Sequence, residues 1–177
     1  MSRLKPLSPE QMTPAQAEVF KDIEAKGGRL GGPYSAYIRI PEFMRLNQEM
    51  GDYLRRNSLS PRLRQLVVLK TVGHWGAKYA WAVNKQSGLK AGLDAATIDA
   101  IEKGGNPADL NAQDSTALKV AGELLHNKVV SEPTYRAAVA LFGENGVADI
   151  VVTTGFYSMV SMTLNAFEVD PPKEARA

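Results

Sequence analysis

Proline and capping residues repeatedly stand at the threshold of an apolar stripe of helical period along this chain, and no run alternates cleanly with a period of two. That combination restricts the fold to helices. A strand needs alternation to bury one face, whereas a helix needs apolar residues three and four apart. Thr13-Pro14-Ala15-Gln16 supplies a capping hydroxyl, a proline at the first helical position and a glutamine three residues after the cap. Met12, Val19 and Ile23 then share a face, and Gly27-Gly28 is the expected stop. Gly31-Gly32-Pro33 reads as a loop. Pro41 opens a long helix with Phe43, Leu46, Met50, Tyr53 and Leu54 on one expected stripe. Ser60-Pro61 starts another, carrying Leu63, Leu66, Val67 and Leu69. Helical pattern resumes near Lys78 and stops at Gly92, and Asp94 caps a short helix that ends at Gly104-Gly105.

A polar connector from Asn106 to Asp114 divides a larger part, about 1–105, from a smaller one, about 112–169. Leu118, Ala121 and Leu125 mark the next helix. Ser131 is the expected cap of another, on which Tyr135, Ala138, Val139 and Phe142 follow the i, i+3, i+4, i+7 template. A last helix is expected from about Gly146 to Phe167, followed by a frayed tail, DPPKEARA. Asn145-Gly146 has helical pattern on both sides and does not read as a hairpin. The expectation is a single all-α domain of eight or nine helices.

Composition narrows the functions. At 177 residues the chain has the length of one ordinary domain, with 44% hydrophobic and 23% charged residues, as in globular proteins. A net charge of +2 is too balanced for an electrostatic footprint on nucleic acid or anionic membrane, so neither partner is expected. The chain contains no cysteine, which excludes disulfides, thiolate metal sites and thiol nucleophiles. His74 and His126 lie far apart in sequence, and no acidic cluster has metal-ligand spacing, so no metal and no cofactor are expected. Gly27-Gly28 and Gly31-Gly32 lack the context of a dinucleotide loop. The opening MSRLKPLSPEQM has no apolar stretch, so no signal peptide is expected. Val147 to Phe167 is the one membrane candidate, but Asp149, Gly155 and Asn165 favour a core helix or a subunit contact. The expected compartment is the cytoplasm.

The segment RLRQLVVLKTVGHWGAKYAWAVNKQSGLKAGLDAATIDAI, Arg62 to Ile101, resembles the central motif of the carboxymuconolactone decarboxylase and AhpD-like superfamily. LFGENGVADIVVTTGFYSMVSMTLNAFEV resembles that family's terminal helix. The resemblance runs from about Pro33 to Val169 and implies an AhpD-like all-α fold, assembled as a homo-oligomer, a trimer or hexamer. It implies either decarboxylation of γ-carboxymuconolactone in aromatic degradation, a lyase activity, or an alkylhydroperoxidase acting through Cys-x-x-Cys with a Glu and His relay. The relay falls at Gln65, Ala77, Ala80 and Asn84, so each of its members is replaced. Without a thiolate to attack peroxide and a base to activate it, thiol peroxidase chemistry is excluded. The decarboxylase reading needs no cysteine, though Gln65 and Asn84 are amides that hydrogen-bond without titrating. A related subfamily pattern, His-Trp-x-Ala-x-Tyr-Glu-Trp-x-x-His, keeps His74, Trp75, Ala77, Tyr79 and Trp81 here and loses its Glu at Ala80 and its His at Asn84.

His74 is the expected proton carrier: on a continuous helix it shares a face with Ala77, Trp81 and Asn84, although Gly73 and Gly76 oppose that continuity. The competing reading is a histidine with both nitrogens hydrogen-bonded in the structure. Tyr79 and Tyr157 are phenols that an enolate could use, or ordinary core tyrosines. Lys78 and Lys85 are either substrate-carboxylate contacts or a solvated helix face, and Arg62 and Arg64 either surface charges or carboxylate clamps. Trp75 and Trp81 are expected to wall or underlie a pocket that also holds Gln65 and Asn84. His126 suits a helix C-terminus. Met44, Met50, Met159 and Met162 read as core filler. The expected function is a cofactor-independent enzyme acting on a small lactone or unsaturated carboxylic acid. The alternative is a non-catalytic relative that binds a small ligand or serves as a scaffold.

Overall fold

The computed structural model describes residues 2–5, 7–25, 30–105, 107–108 and 110–172. After a 3-10 turn at Pro9–Gln11 come α1 (Pro14–Ala25), α2 (Tyr34–Tyr37), α3 (Pro41–Arg56), α4 (Pro61–His74), α5 (Lys78–Lys90), α6 (Ala95–Glu102), α7 (Ala112–Asn127) and α8 (Glu132–Ala166). No strand occurs among the described residues, in agreement with the all-α expectation. Gly143 adopts φ 67° and ψ 172°, which interrupts α8 and splits it into 132–142 and 144–166. The two sequence-predicted helices there are therefore one element with a break. The expected stop at Gly27-Gly28 and the end of the C-terminal tail lie outside the described residues.

Caps sit where hydroxyl, carboxylate and amide side chains can reach orphan N–H groups. Ser60 Oγ accepts from the Leu63 N–H at 3.2 Å, Asp94 from Thr97 at 2.7 Å, and Thr13 and Gln16 satisfy each other reciprocally at 3.3 and 2.9 Å. Asn111 accepts from the Asp114 N–H at 2.8 Å, so α7 begins at Ala112 and the connector is shorter than expected. Ser131 stands at the cap position of α8, but its hydroxyl donates to Glu123 and Thr134 instead. It ties the end of α7 to the start of α8.

α4 is the central helix. Leu66, Val67, Val68 and Leu69 are consecutive and fully buried, because α5, α7 and α8 pack around it on several sides. One core cluster joins α4, α6, α7 and α8 through Leu66, Ile98, Val120 and Ile150, and a second joins α1 to the start of α3 through Val19, Ile23, Ile38 and Met44. A third, with Val72, Ala80, Val160 and Leu164, sits between α4, α5 and α8. Each fully buried aliphatic side chain contributes about 1.5–3 kcal/mol.

Two stripes differ from expectation. On α3 the residues that turn inward are Met44, Asn47 and Leu54, while Leu46, Met50 and Tyr53 are exposed. The helix is rotated relative to its apolar stripe because its inner face meets a cavity rather than a packed core. On α8, Thr134 takes the buried position and Tyr135 is exposed, since the Thr134 hydroxyl bonds Glu123 at 2.7 Å. α8 is long and apolar enough to cross a membrane, with a mean hydropathy of 1.4 in its apolar window. It nevertheless buries Asp149, Thr153, Thr154 and Ser161 inside the domain, as a core helix does.

Candidate functional site

The inward faces of α3, α4, α5 and α8 leave a cavity of about 470 Å³, closed on one side by Gly31, Pro33 and Tyr34. That volume lies within the range of about 300–1,000 Å³ typical of small-molecule sites. The first turns of α4 supply Arg64 and Gln65, positioned by the Ser60 cap. α5 supplies Tyr79, Ala80, Asn84 and Ser87, α8 supplies Phe156, Tyr157, Val160 and Leu164, and α3 supplies Asn47, Gly51, Leu54 and Arg55.

Among the described residues no histidine or carboxylate lines this cavity. Its titratable groups are arginines and phenols. Burial pushes the Tyr157 phenol above its usual range, and the nearby Arg64 and Arg55 guanidiniums only partly counter that. Tyr157 is therefore a proton-bearing hydrogen-bond donor at neutral pH. Arg55 is exposed and pairs with Asp52. Arg64 is half-buried and uses Nη1 to bond Asn57 Oδ1 and the Leu59 carbonyl, both at 3.3 Å. No carboxylate among the described residues pairs with it. Asn47 is 2% exposed and its Nδ2 has no hydrogen-bond partner among the described residues, nor has the buried Oε1 of Gln65. Asn84 returns its Nδ2 to the Ala80 carbonyl at 2.8 Å.

Gly32 allows the wall to close. Its φ is +56°, and a Cβ there would lie 2.5 Å from Tyr79 Cε1, so only glycine lets the loop and the Tyr79 ring approach this closely. The glycine pair is a packing device, which spacing alone does not reveal.

The structure brings together Gln65, Tyr79, Asn84, Arg64 and Tyr157. His74 is placed elsewhere. α4 ends at His74, Gly76 turns the chain at φ +57°, and α5 begins afresh at Lys78, so the shared face with Ala77, Trp81 and Asn84 does not exist. The His74 imidazole meets that of His126 edge-on, with centroids 4.7 Å apart. His126 lines a larger cleft of about 620 Å³ against α7, together with Lys70 and Lys119. Partial burial, then His126 and Lys70, hold the His74 pKa below its usual value. Trp75 and Trp81 pack in the core behind the cavity, Trp81 against Gly73, and neither lines it. Lys78 is exposed at the start of α5, and Lys85 pairs with Asp99 and Glu102 at 3.6 and 3.5 Å. Arg62 is a clamp for the protein's own buried Asp114. Asn47, Arg55, Tyr34 and Ser87 are the polar lining residues missed in the sequence. Asn47 and Gly51 interrupt the inner side of α3 at helical spacing, and that interruption is the signal of a cavity.

A helical domain with a half-open cavity of small-molecule size among four helices is the class that fold and site define. Its fold is the AhpD-like helical fold. A peroxidase-related protein with an AhpD core from Ralstonia eutropha JMP134 superposes with a TM-score of 0.80 at 16% identity, covering 98% of this chain and 94% of that one. A peroxidase-related protein from Silicibacter sp. TM1040 gives 0.76 at 18%, covering 99% and 91%. The debrominase Bmp8 without ligand gives 0.77 at 12%, covering 98% and 94%, and a variant of it has been solved with 2,3,4-tribromopyrrole. No protein-family model matches the chain. No curated protein matches it in sequence.

Proposed function

We propose that this protein is a cofactor-independent enzyme that decarboxylates a small lactone or unsaturated carboxylic acid in the cavity between α3, α4, α5 and α8. The observation that carries this reading is the placement of the half-buried Tyr157 phenol in one cavity with guanidiniums and uncharged amides, in a site free of acidic side chains among the described residues. In the reaction the C–COO⁻ bond breaks, its electron pair passes into the conjugated carbonyl as an enolate, and carbon dioxide leaves. The Tyr157 phenol hydrogen-bonds the enolate oxygen, and a proton from it or from water is added to carbon. Tyr79, which lines the same cavity from α5, assists. The bound tribromopyrrole of the debrominase variant supports the use of this fold to hold a small unsaturated ring. The test is turnover of γ-carboxymuconolactone and related lactone and β-keto acids. Tyr157→Phe is expected to cost about a hundredfold or more in kcat. His74→Ala, outside the cavity, is expected to stay within about threefold. Equal rates for wild type and Tyr157→Phe would end the proposed role.

A second reading has its own observation: the relay positions carry Gln65, Ala77, Ala80 and Asn84, none of which transfers protons. A binding protein with this cavity would show saturable acid binding and no product. In either reading the protein works in the cytoplasm as a homo-oligomer, a trimer or hexamer. Exposed Leu46, Met50 and Tyr53 on α3 and Val151, Val152 and Met162 on α8 support a subunit contact. Light scattering at micromolar concentration is expected to give a multiple of the 19.2 kDa chain, and a monomer would refute it.

A further inference from the structure

We infer that the cavity is built for a small cyclic organic anion that binds in one orientation, its anionic group on Arg64 and a carbonyl oxygen on Asn47 Nδ2. This rests on the proposed small-acid reading and assigns the groups that select the ligand. A buried amide N–H without a partner is costly, and of the buried polar side-chain atoms without a partner among the described residues, Asn47 Nδ2 and Gln65 Oε1 are the two whose residues line the cavity. Asn47 is 2% exposed, lines the cavity and leaves Nδ2 without a partner among the described residues. Gln65 Oε1 is in the same position as an acceptor, and lines the same cavity. The cavity wall thus holds one unmatched donor and one unmatched acceptor, both covered in the empty site, and a small turn of either amide would bring it to a ligand carbonyl or a ligand hydroxyl or ring N–H.

Charge fixes the other end. Arg55 is exposed and already pairs with Asp52, whereas only Nη1 of Arg64 is engaged among the described residues, by an amide and a carbonyl rather than a carboxylate. A half-buried guanidinium held by neutral acceptors retains its charge and its remaining donors for an anion, preferably a bidentate one. The anchoring by Asn57 and Leu59 also restricts its rotamers, so little entropy is lost on binding.

The test is binding, which needs no turnover. The probes are 2-pyrone-5-carboxylate, a six-membered lactone acid, and its neutral methyl ester, measured by calorimetry on the whole protein. The acid is expected to bind saturably and about tenfold or more tighter than the ester, the scale of one charge-assisted contact. Arg64→Gln is expected to weaken the acid about tenfold while leaving the ester unchanged, which also shows the pocket intact. Asn47→Leu is expected to weaken both probes about tenfold. Because that change removes an unmatched buried donor, the ligand-free variant should melt no lower than wild type, whereas a residue of purely structural value would lower the melting temperature. Equal affinity for acid and ester, an unaltered acid affinity in Arg64→Gln, or no binding up to about 10 mM would overturn the inference. Binding as expected without turnover would remove the enzyme reading alone. Turnover insensitive to Arg64→Gln would remove this inference alone.

Discussion

Asp149→Ala is expected to lower the melting temperature by roughly 6–12 °C, the shift that a loss of about 3 kcal/mol gives in a domain of this length. The carboxylate is 4% exposed on α8 and accepts from the Ser58 N–H at 2.9 Å, from Ser58 Oγ at 2.6 Å and from the Tyr53 hydroxyl. Alanine would leave those donors without an acceptor and detach the α3–α4 loop from α8. The same loop holds Arg64 through Asn57 and Leu59, so acid binding in the cavity should weaken as well. Burial pushes the Asp149 pKa up, but the hydrogen bonds from Ser58 and Tyr53 outweigh it and bring the carboxyl below the ordinary aspartate value of 3.8. A depressed folded-state pKa contributes stability that is present above the unfolded value and disappears as pH falls through the folded one. The gap between wild type and Asp149→Ala should therefore be full at neutral pH and shrink below 3.8. Thermal unfolding across that range checks both statements. A gap below about 2 °C at neutral pH, or one that widens in acid, would contradict the assignment.

Arg62→Ala is expected to cost about 2–3 kcal/mol, or roughly 4–12 °C in melting temperature. Asp114 is 3% exposed, and its other described partner is Asn111 Nδ2 at 3.0 Å, so removing the guanidinium leaves a buried charge with a single amide. The figure is set below that of a fully buried pair because the Arg62 side chain is 35% exposed. Arg62→Met combined with Asp114→Asn should recover much of the loss, since the charge is then gone with its partner. Arg62 and Arg64 are two residues apart on α4 and so face different ways. Loss of Arg62 should leave acid binding in the cavity unchanged, in contrast to Arg64. Additivity of the Arg62 and Asp114 changes in a double-mutant cycle would show that the pair does not interact.

The helical architecture was legible because caps and stops are local. Ser60, Asp94 and Thr13 cap through atoms within three residues, and the break near Gly143 follows from one glycine in the left-handed region. The substitutions at Gln65, Ala80 and Asn84 were legible too, and all three line the cavity. His74 was not. Its expected position depended on an unbroken helix, but the turn at Gly76 takes α5 away from it, and its ring meets that of His126, 52 residues further along. The face of α3 was misjudged for a related reason. Hydrophobic periodicity finds the side that avoids water, and on α3 an exposed apolar side competes with an inner side of Asn47 and Gly51 that lines a cavity.

By itself the sequence determined the all-α class, most helix boundaries, and the exclusion of thiol peroxidase chemistry by the absence of cysteine. These follow from backbone propensity and from which atoms the chain contains, and neither depends on distant contacts. Only the tertiary structure decided which polar groups face one another: Asn47 from α3, Arg64 and Gln65 from α4 and Tyr157 from α8 meet around one space. Their convergence depends on the packing of helices far apart in sequence, and on Gly32 letting Tyr79 close the wall. No periodicity within one helix encodes that.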